Sequence, residues 1–397
     1  MTKEQRENGT IGLIVTLMIG YTIAYMDKAM ISTAIIPISA EYQLSSTEAG
    51  FIMSAFFLSY SLTQIPSGWL ADKFGAKAVL LTALSLTTVF ALLFGLVSNL
   101  LMFMLFRFFA GVGHGGYPPG CSRAIGEYIP KKQRTFIQSL MIATAGLGGI
   151  LAFTLGANLI ALNWRYAYLL LGTFFFMATV CVALFLPGKA KNATTQKTEN
   201  NKPNIKYRTI LLNKNVIRLF LAMILINFLL YGIVSWLPSY LKTTFSLSIG
   251  TIGLLLACNA VFQTLGSFLA GILMSRYFAN KERRLIVCLC LATALFLIGF
   301  MYSSVLALSM ILLLLLSLCS TTAFTAMFSW PHKLFDSSII GSSIGLINTG
   351  SAIGGFIAPM TLGFLIQLAS GSYVLSFCSM ALAVVICGGI VLFIKKK

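Results

Sequence analysis

Twelve stretches of this chain each approach the roughly 20 apolar residues that a helix needs to cross hydrocarbon. They fall at 11–38, 47–70, 78–97, 100–124, 138–161, 165–187, 215–240, 248–274, 284–303, 305–328, 339–367 and 372–394. No soluble core accommodates so many. Charged residues make up only 10% of the 397, against roughly 25% in ordinary soluble domains. In lipid, backbone N–H and C=O groups must be satisfied within the segment itself, and runs of this length do so as helices. The expected fold class is an all-α membrane protein with twelve transmembrane helices.

The net charge of +18 raises nucleic acid as a partner, and the placement of the charge argues against it. All but four of the 28 Lys and Arg lie in the tails and in alternate connections on one side of the spans. Arg165 and Lys242 lie on the other side; Lys28 and Arg107 lie inside spans. This is the positive-inside asymmetry, and it puts both termini in the cytoplasm of a multi-pass protein of the cell membrane. The eight cysteines fall inside apolar spans or at their ends, without loop pairing or metal-ligand spacing, and read as small packing residues. The first span is too long for a signal-peptide core and lacks a small-residue cleavage site.

Residues 188–214 form the one long polar connection, carrying Lys189, Lys191, Lys197, Lys202, Lys206 and Arg208 with no apolar periodicity. It reads as a basic cytoplasmic linker between an N-terminal six-helix bundle, 1–187, and a C-terminal one, 215–397. Its charge suits anionic lipid headgroups. A faint repeat agrees with the duplication. After the second span comes Gly68-Trp69-Leu70-Ala71-Asp72-Lys73; six spans later comes Gly271-Ile272-Leu273-Met274-Ser275-Arg276. Two pseudo-symmetric halves of this kind place a binding cavity between them near the midplane.

Of the ten acidic residues, Asp27 alone lies well inside an apolar span. A carboxylate at that depth costs roughly 2.5–3.5 kcal/mol of insertion free energy even on the lenient scale. It is retained where it faces an interior and acts there, or where it forms a structural ion pair within the bundle. Arg107 and His114 are seven residues apart, two helical turns, and so share a face of the fourth span. Arg107 cannot shed its charge and must find an anion; Asp27 or a substrate carboxylate is available. Lys28 points about 100° away from Asp27 on the helix, so the two need not pair. Histidine is the side chain that changes charge near neutral pH, which makes His114 either a second coupling group or a hydrogen-bonded packing residue.

Two resemblances rest on these residues. The run Gly68 to Lys77 is similar to the signature loop of the major facilitator superfamily, glycine-x-leucine-x-aspartate-[Arg/Lys]-x-glycine with basic residues following. It lies between spans two and three, as that family requires, and departs from it at Ala76, where a basic residue is usual. The resemblance implies a cytoplasmic gate built from Gly68, Asp72, Lys73, Gly75 and Lys77 with Glu127 and Arg134, a charge cluster that forms in one conformation and breaks in another. A narrower resemblance, to the anion:cation symporters of sugar acids and other organic anions, rests on four stretches. They are Tyr25-Met26-Asp27-Lys28, the run Tyr60 to Trp69, the run Arg107 to Gly113 with Pro119, Ser122, Arg123 and Glu127, and Asn348 with Gly354 to Pro359. It implies Asp27 as the proton-linked acid, with Tyr25, Tyr60 and Asn348 near the substrate. Where that family commonly has arginine this chain has Lys28, and where it commonly has glutamate on the fourth span this chain has His114.

These readings converge on a secondary active transporter working by alternating access, a proton-coupled symporter of a small organic anion. Lys28 and Arg107 attract the anion, Trp330 adds a polar contact, and protonation of Asp27, with His114, frees a cation for the substrate. The alternatives are a proton-coupled exporter or exchanger of amphipathic compounds, and a non-transporting receptor or membrane-embedded enzyme. No phosphate-binding lysine loop, metal-ligand spacing or glycine-framed nucleophilic serine supports an enzyme. No cofactor is expected, and the carrier is expected to function as a monomer.

Overall fold

The computed structural model describes residues 3–188, 213–278, 280–335 and 340–394, and all regular structure among them is helical. The elements in order are α1 (Lys3–Tyr42), α2 (Ser46–Phe74), α3 (Ala76–Phe94), α4 (Leu100–Tyr128), α5 (Lys131–Leu151), α6 (Ala157–Leu162), α7 (Trp164–Phe185), α8 (Lys214–Phe245) and α9 (Ile249–Ile272). After these come α10 (Glu282–Tyr302), α11 (Leu306–Ser329), the short α12 (Pro331–Leu334), α13 (Ile340–Leu368) and α14 (Val374–Leu392). A π-turn at Ala152–Gly156 joins α5 to α6 in one rod, and a second π-turn, Leu273–Tyr277, ends α9. Counted as rods and without α12, the described residues hold twelve long helices.

Eleven of the rods are long and apolar enough to cross a membrane, and α2 falls short. Its second half carries Ser61, Thr63, Gln64, Pro66, Ser67 and Gly68, which dilute its hydropathy below that of its neighbours. The helix starts are set locally. Asn99 accepts from the N–H of Met102 at the start of α4, and Asn163 accepts from that of Arg165 at the start of α7. Ser45 and Glu48 cap the start of α2 reciprocally: Ser45 N–H donates to the Glu48 carboxylate at 2.8 Å, and Glu48 N–H to Ser45 Oγ at 3.3 Å.

The chain divides into two compact units. Unit 1 comprises Met1–Leu44, Phe51–Thr194 and Ser246–Ala257; unit 2 comprises Ser45–Gly50, Thr195–Phe245 and Cys258–Lys397. Most of the linker expected at 188–214 lies outside the described residues.

In unit 1, α1 packs on α5 and α7, and α3 packs on α4 and α7. Phe94, Phe103, Trp164 and Tyr168 form an aromatic core with ring centroids 4.3–6.4 Å apart. One end is closed by Glu41, which accepts from Trp164 Nε1 at 2.8 Å and is gripped by the Arg165 guanidinium. The backbone of α4 runs close to its neighbours: a Cβ on Gly111 would collide with Ser59 Oγ and the Phe56 carbonyl. In unit 2, α13 packs along α8, and α14 packs on α8 and α10. Asn227 Nδ2 donates to Ser351 Oγ at 3.0 Å, and Trp236 Nε1 to the Pro359 carbonyl at 3.0 Å. The eight cysteines are free thiols.

Candidate functional site

The carboxylate of Asp27 lies in unit 1 between two side chains of α4. Arg107 Nη1 donates to Asp27 Oδ1 at 3.1 Å, and His114 Nε2 lies 2.8 Å from Oδ2. All three are almost wholly buried. Two helical turns separate the α4 residues, so each takes one oxygen of the same carboxylate. Of the two anions that the sequence leaves open for Arg107, the fold supplies Asp27. Phe56 shapes this layer: the guanidinium carbon of Arg107 sits 4.4 Å from its ring centroid, and His114 meets it edge-on at 4.9 Å. Phe175 of α7 makes a second edge contact with the imidazole at 5.5 Å. The remaining guanidinium nitrogens of Arg107, Nε and Nη2, are buried with no hydrogen-bond partner among the described residues.

Lys28, the next residue along α1, turns away from that pair, as helix geometry requires. Its ammonium lies over three rings, Tyr60 at 4.6 Å, Phe57 at 5.3 Å and Tyr25 at 5.4 Å. Cation–π contacts of this kind are worth about 0.5–2 kcal/mol each, more when desolvated. Tyr25, Lys28 and Tyr60 are half-exposed, whereas Asp27, Arg107 and His114 are buried. Behind Tyr25 the aromatic face continues through Tyr21 to Tyr117, whose hydroxyl donates to the Leu17 carbonyl. The site thus has two layers: a half-exposed cation framed by aromatic rings and, beneath it, a buried acid held by arginine and histidine. Phe56, Phe57, Phe175 and Tyr117 escape a reading of the sequence, because aromatics in a hydrophobic span look alike whether they face lipid or a charge.

The loop after α2 takes the sharp turn expected of it, with Gly75 at φ 89°. Its ion pairs are only partly those anticipated. Asp72 pairs with Arg123 at 3.1 Å, and Arg123 also faces Glu127 at 3.9 Å, one turn along α4. Lys77 instead donates to the carbonyls of Ala183 and Leu186 at the end of α7, both at 2.7 Å, and Arg134 Nε donates to the Ile129 carbonyl. Lys73 lies over the rings of Trp69 and Phe74, while Gly68 has open space where a Cβ would stand. The arginine at the centre of the cluster is therefore Arg123, and the signal for it was its i,i+4 spacing to Glu127. Asn348 and Trp330 belong to unit 2. Asn348 is exposed on α13, and Trp330 is buried where α11 meets α12, its indole N–H without a partner among the described residues.

The described residues form twelve helical rods, eleven of them long and apolar enough to cross a membrane, with a buried acid, arginine and histidine between two of them, the build of a membrane carrier. The sequence matches the model of the Major Facilitator Superfamily over residues 17–359 and again over 239–397. The chain belongs to that family, whose members are transporters rather than enzymes. Its relatives include a probable sulfoacetate transporter of Cupriavidus necator, 30% identical over 90% of this chain and 87% of that one. Another is a cis,cis-muconate transport protein of Acinetobacter baylyi, 28% identical over 94% of this chain and 91% of that one. Among solved structures, a bacterial homologue of the human lysosomal transporter Spinster, captured inward-facing and occupied, superposes with a TM-score of 0.85 at 16% identity, covering 99% of this chain and 97% of that one.

Proposed function

We propose that this protein is a proton-coupled symporter of small organic anions, carboxylates of the sugar-acid kind, in the cell membrane. The observation that carries the proposal is the two-layer charge arrangement of unit 1. The half-exposed Lys28, framed by Tyr25, Tyr60 and Phe57, offers a cation and hydrogen-bonding hydroxyls to an arriving carboxylate. Beside it on α1, Asp27 is the one acid well inside a span among the described residues, and its carboxylate occupies a single donor of Arg107.

A proton taken up by Asp27 or His114 weakens the hold of the carboxylate on the guanidinium. Arg107 then has a fork of buried donors to offer, and a planar fork suits a carboxylate. With Lys28 and Arg107 against Asp27, the empty site carries one net positive charge. A dianion such as sulfoacetate overcompensates it, and a proton on Asp27 restores balance, which favours reorientation of the fully loaded carrier over the half-loaded one. The names of the relatives support the substrate class: sulfoacetate and muconate are both small organic anions. Alternating access by the six-helix halves 1–187 and 215–397, recruitment of Asn348 and Trp330 to the substrate, and action as a monomer belong to the same proposal.

The test is uptake by the purified protein in proteoliposomes. Labelled sugar acids, sulfoacetate and muconate are offered with the outside acidic, and a protonophore is added in a parallel series. Accumulation above equilibrium that collapses with the protonophore is expected. Accumulation indifferent to the proton gradient would overturn the coupling and leave the substrate class standing.

A further inference from the structure

The basic side of unit 2 carries an arrangement that substrate transport does not use. Helix α14 ends at Leu392, and its last carbonyls converge on two arginines from different helices. Arg218, one turn into α8, donates from Nη1 to the Phe393 carbonyl at 2.6 Å; Arg283, at the start of α10, donates from Nη1 to the Leu392 carbonyl at 3.2 Å. Consecutive carbonyls at the end of one helix thus each take one guanidinium nitrogen, from the two helices that flank it. Capping the negative end of α14 accounts for one nitrogen of each. Apart from a long contact of the same Arg218 nitrogen to Asn215 Oδ1 at 3.5 Å, the other donors of both make no hydrogen bond among the described residues.

The nearby acid does not neutralise them. Glu282 precedes Arg283, but its carboxylate is buried and taken by Lys333 Nζ at 2.9 Å and by the N–H of Asn280 at 3.2 Å. Neither arginine has an acidic partner among the described residues, and Arg284 and Lys214 stand exposed beside them. Around them, the same helices show Ile217, Leu221, Leu392 and Phe393 to the outside. Two guanidiniums beside exposed apolar side chains, at the end of three spans, make a site of two parts. One takes a phosphate with planar forks; the other takes chains of hydrocarbon.

We infer that Arg218 and Arg283 form a binding site for an anionic phospholipid of the cytoplasmic leaflet, with its phosphate on the two guanidiniums and its acyl chains along Ile217, Leu221 and Phe393. Basic pockets between spans on this side of a membrane suit lipid headgroups. A bound lipid braces the end of α14 against α8 and α10.

Thermal unfolding and native mass spectrometry of the full-length protein in detergent test the site. Phosphatidylglycerol, phosphatidylcholine and glycerol 3-phosphate are added in separate series. Phosphatidylglycerol is expected to raise the midpoint, as a ligand of the native state must, and to remain bound in the spectrometer. The zwitterionic lipid should do so at least tenfold less effectively. The double variant R218Q/R283Q should lose that increment, R218K/R283K should keep part of it, and K132Q in unit 1 should keep all of it. Because glutamine also uncaps α14, the quantity read is the lipid-dependent increment and the bound-lipid count, not the absolute midpoint. An equal shift with both lipids, or phosphatidylglycerol still retained by R218Q/R283Q, would overturn the site. A full shift with glycerol 3-phosphate alone would replace the lipid with a soluble phosphate and equally refute the proposal.

Discussion

Removal of Arg107 probes a buried ion pair. Its Nη1 sits 3.1 Å from Asp27 Oδ1, and both side chains are about 2% exposed. Neither can recruit bulk water when the other is lost. Breaking a buried pair by deleting one partner costs about 3–5 kcal/mol, while replacing both with neutral groups is often close to neutral. At about 1.4 kcal/mol per tenfold change, Arg107→Met should reduce the folded-to-unfolded ratio by roughly two to three and a half orders of magnitude. Asp27→Asn, which strands the guanidinium instead, should cost a similar amount. The double variant should return to within about 1–2 kcal/mol of the parent, giving a coupling energy of several kcal/mol. The assay is reversible unfolding of the purified protein in mixed micelles, with all four members of the cycle measured at one pH. Single variants that each cost under about 1 kcal/mol and add in the double would show that the pair does not hold these charges in place.

Asp27→Asn should abolish proton-driven accumulation yet leave substrate exchange across the membrane, since the amide resembles the protonated acid; undiminished concentrative uptake would exclude Asp27 as the proton site. His114→Gln keeps size and polarity but cannot titrate, so substrate binding should survive while the pH profile of uptake flattens; a profile superimposed on the parent's would reduce His114 to packing. Arg123→Ala removes the partner of an Asp72 that is 73% exposed, so stability should change by less than about 1 kcal/mol. Transport should fall several-fold if the cluster latches one conformation, and unaltered turnover would count against the latch.

How much of this could be read from the residues varies with the kind of evidence each leaves. Asp27 stands out because an acid in an apolar span has few explanations. The Arg107–His114 pair is visible because seven residues on a helix return to one face. The number of rods follows from hydropathy. The aromatic frame of Lys28 is a different matter. Phe57 and Tyr60 belong to a helix whose apolar residues all satisfy the same pattern, and only the fold brings these two rings beneath an ammonium of α1. The pairing of Asp72 with Arg123, when Lys73 and Lys77 lie closer in sequence, is likewise decided in three dimensions. Lys77 is drawn off by the open carbonyls at the end of α7. The π-turns left no trace in the sequence, since an added residue in one turn is stabilised by neighbours distant in the chain.

The π-turn at Ala152–Gly156 bears on how this protein can change length. A π-turn holds one residue more than an α-turn. Deleting a single residue there should let the rod close into an ordinary helix, while α5 before it and α6 after it keep the faces they now present. The same deletion in the middle of α5 would rotate everything beyond it by about 100° and turn a packed face toward lipid. Gly156 packs near Met30, one turn from Asp27 on α1, so the segment touches the helix that carries the acid. Natural variants of this transporter that differ by one residue in the fifth rod should therefore gain or lose it here. The bulge is the place in the membrane-spanning part of the gene at which an in-frame codon loss should be tolerated.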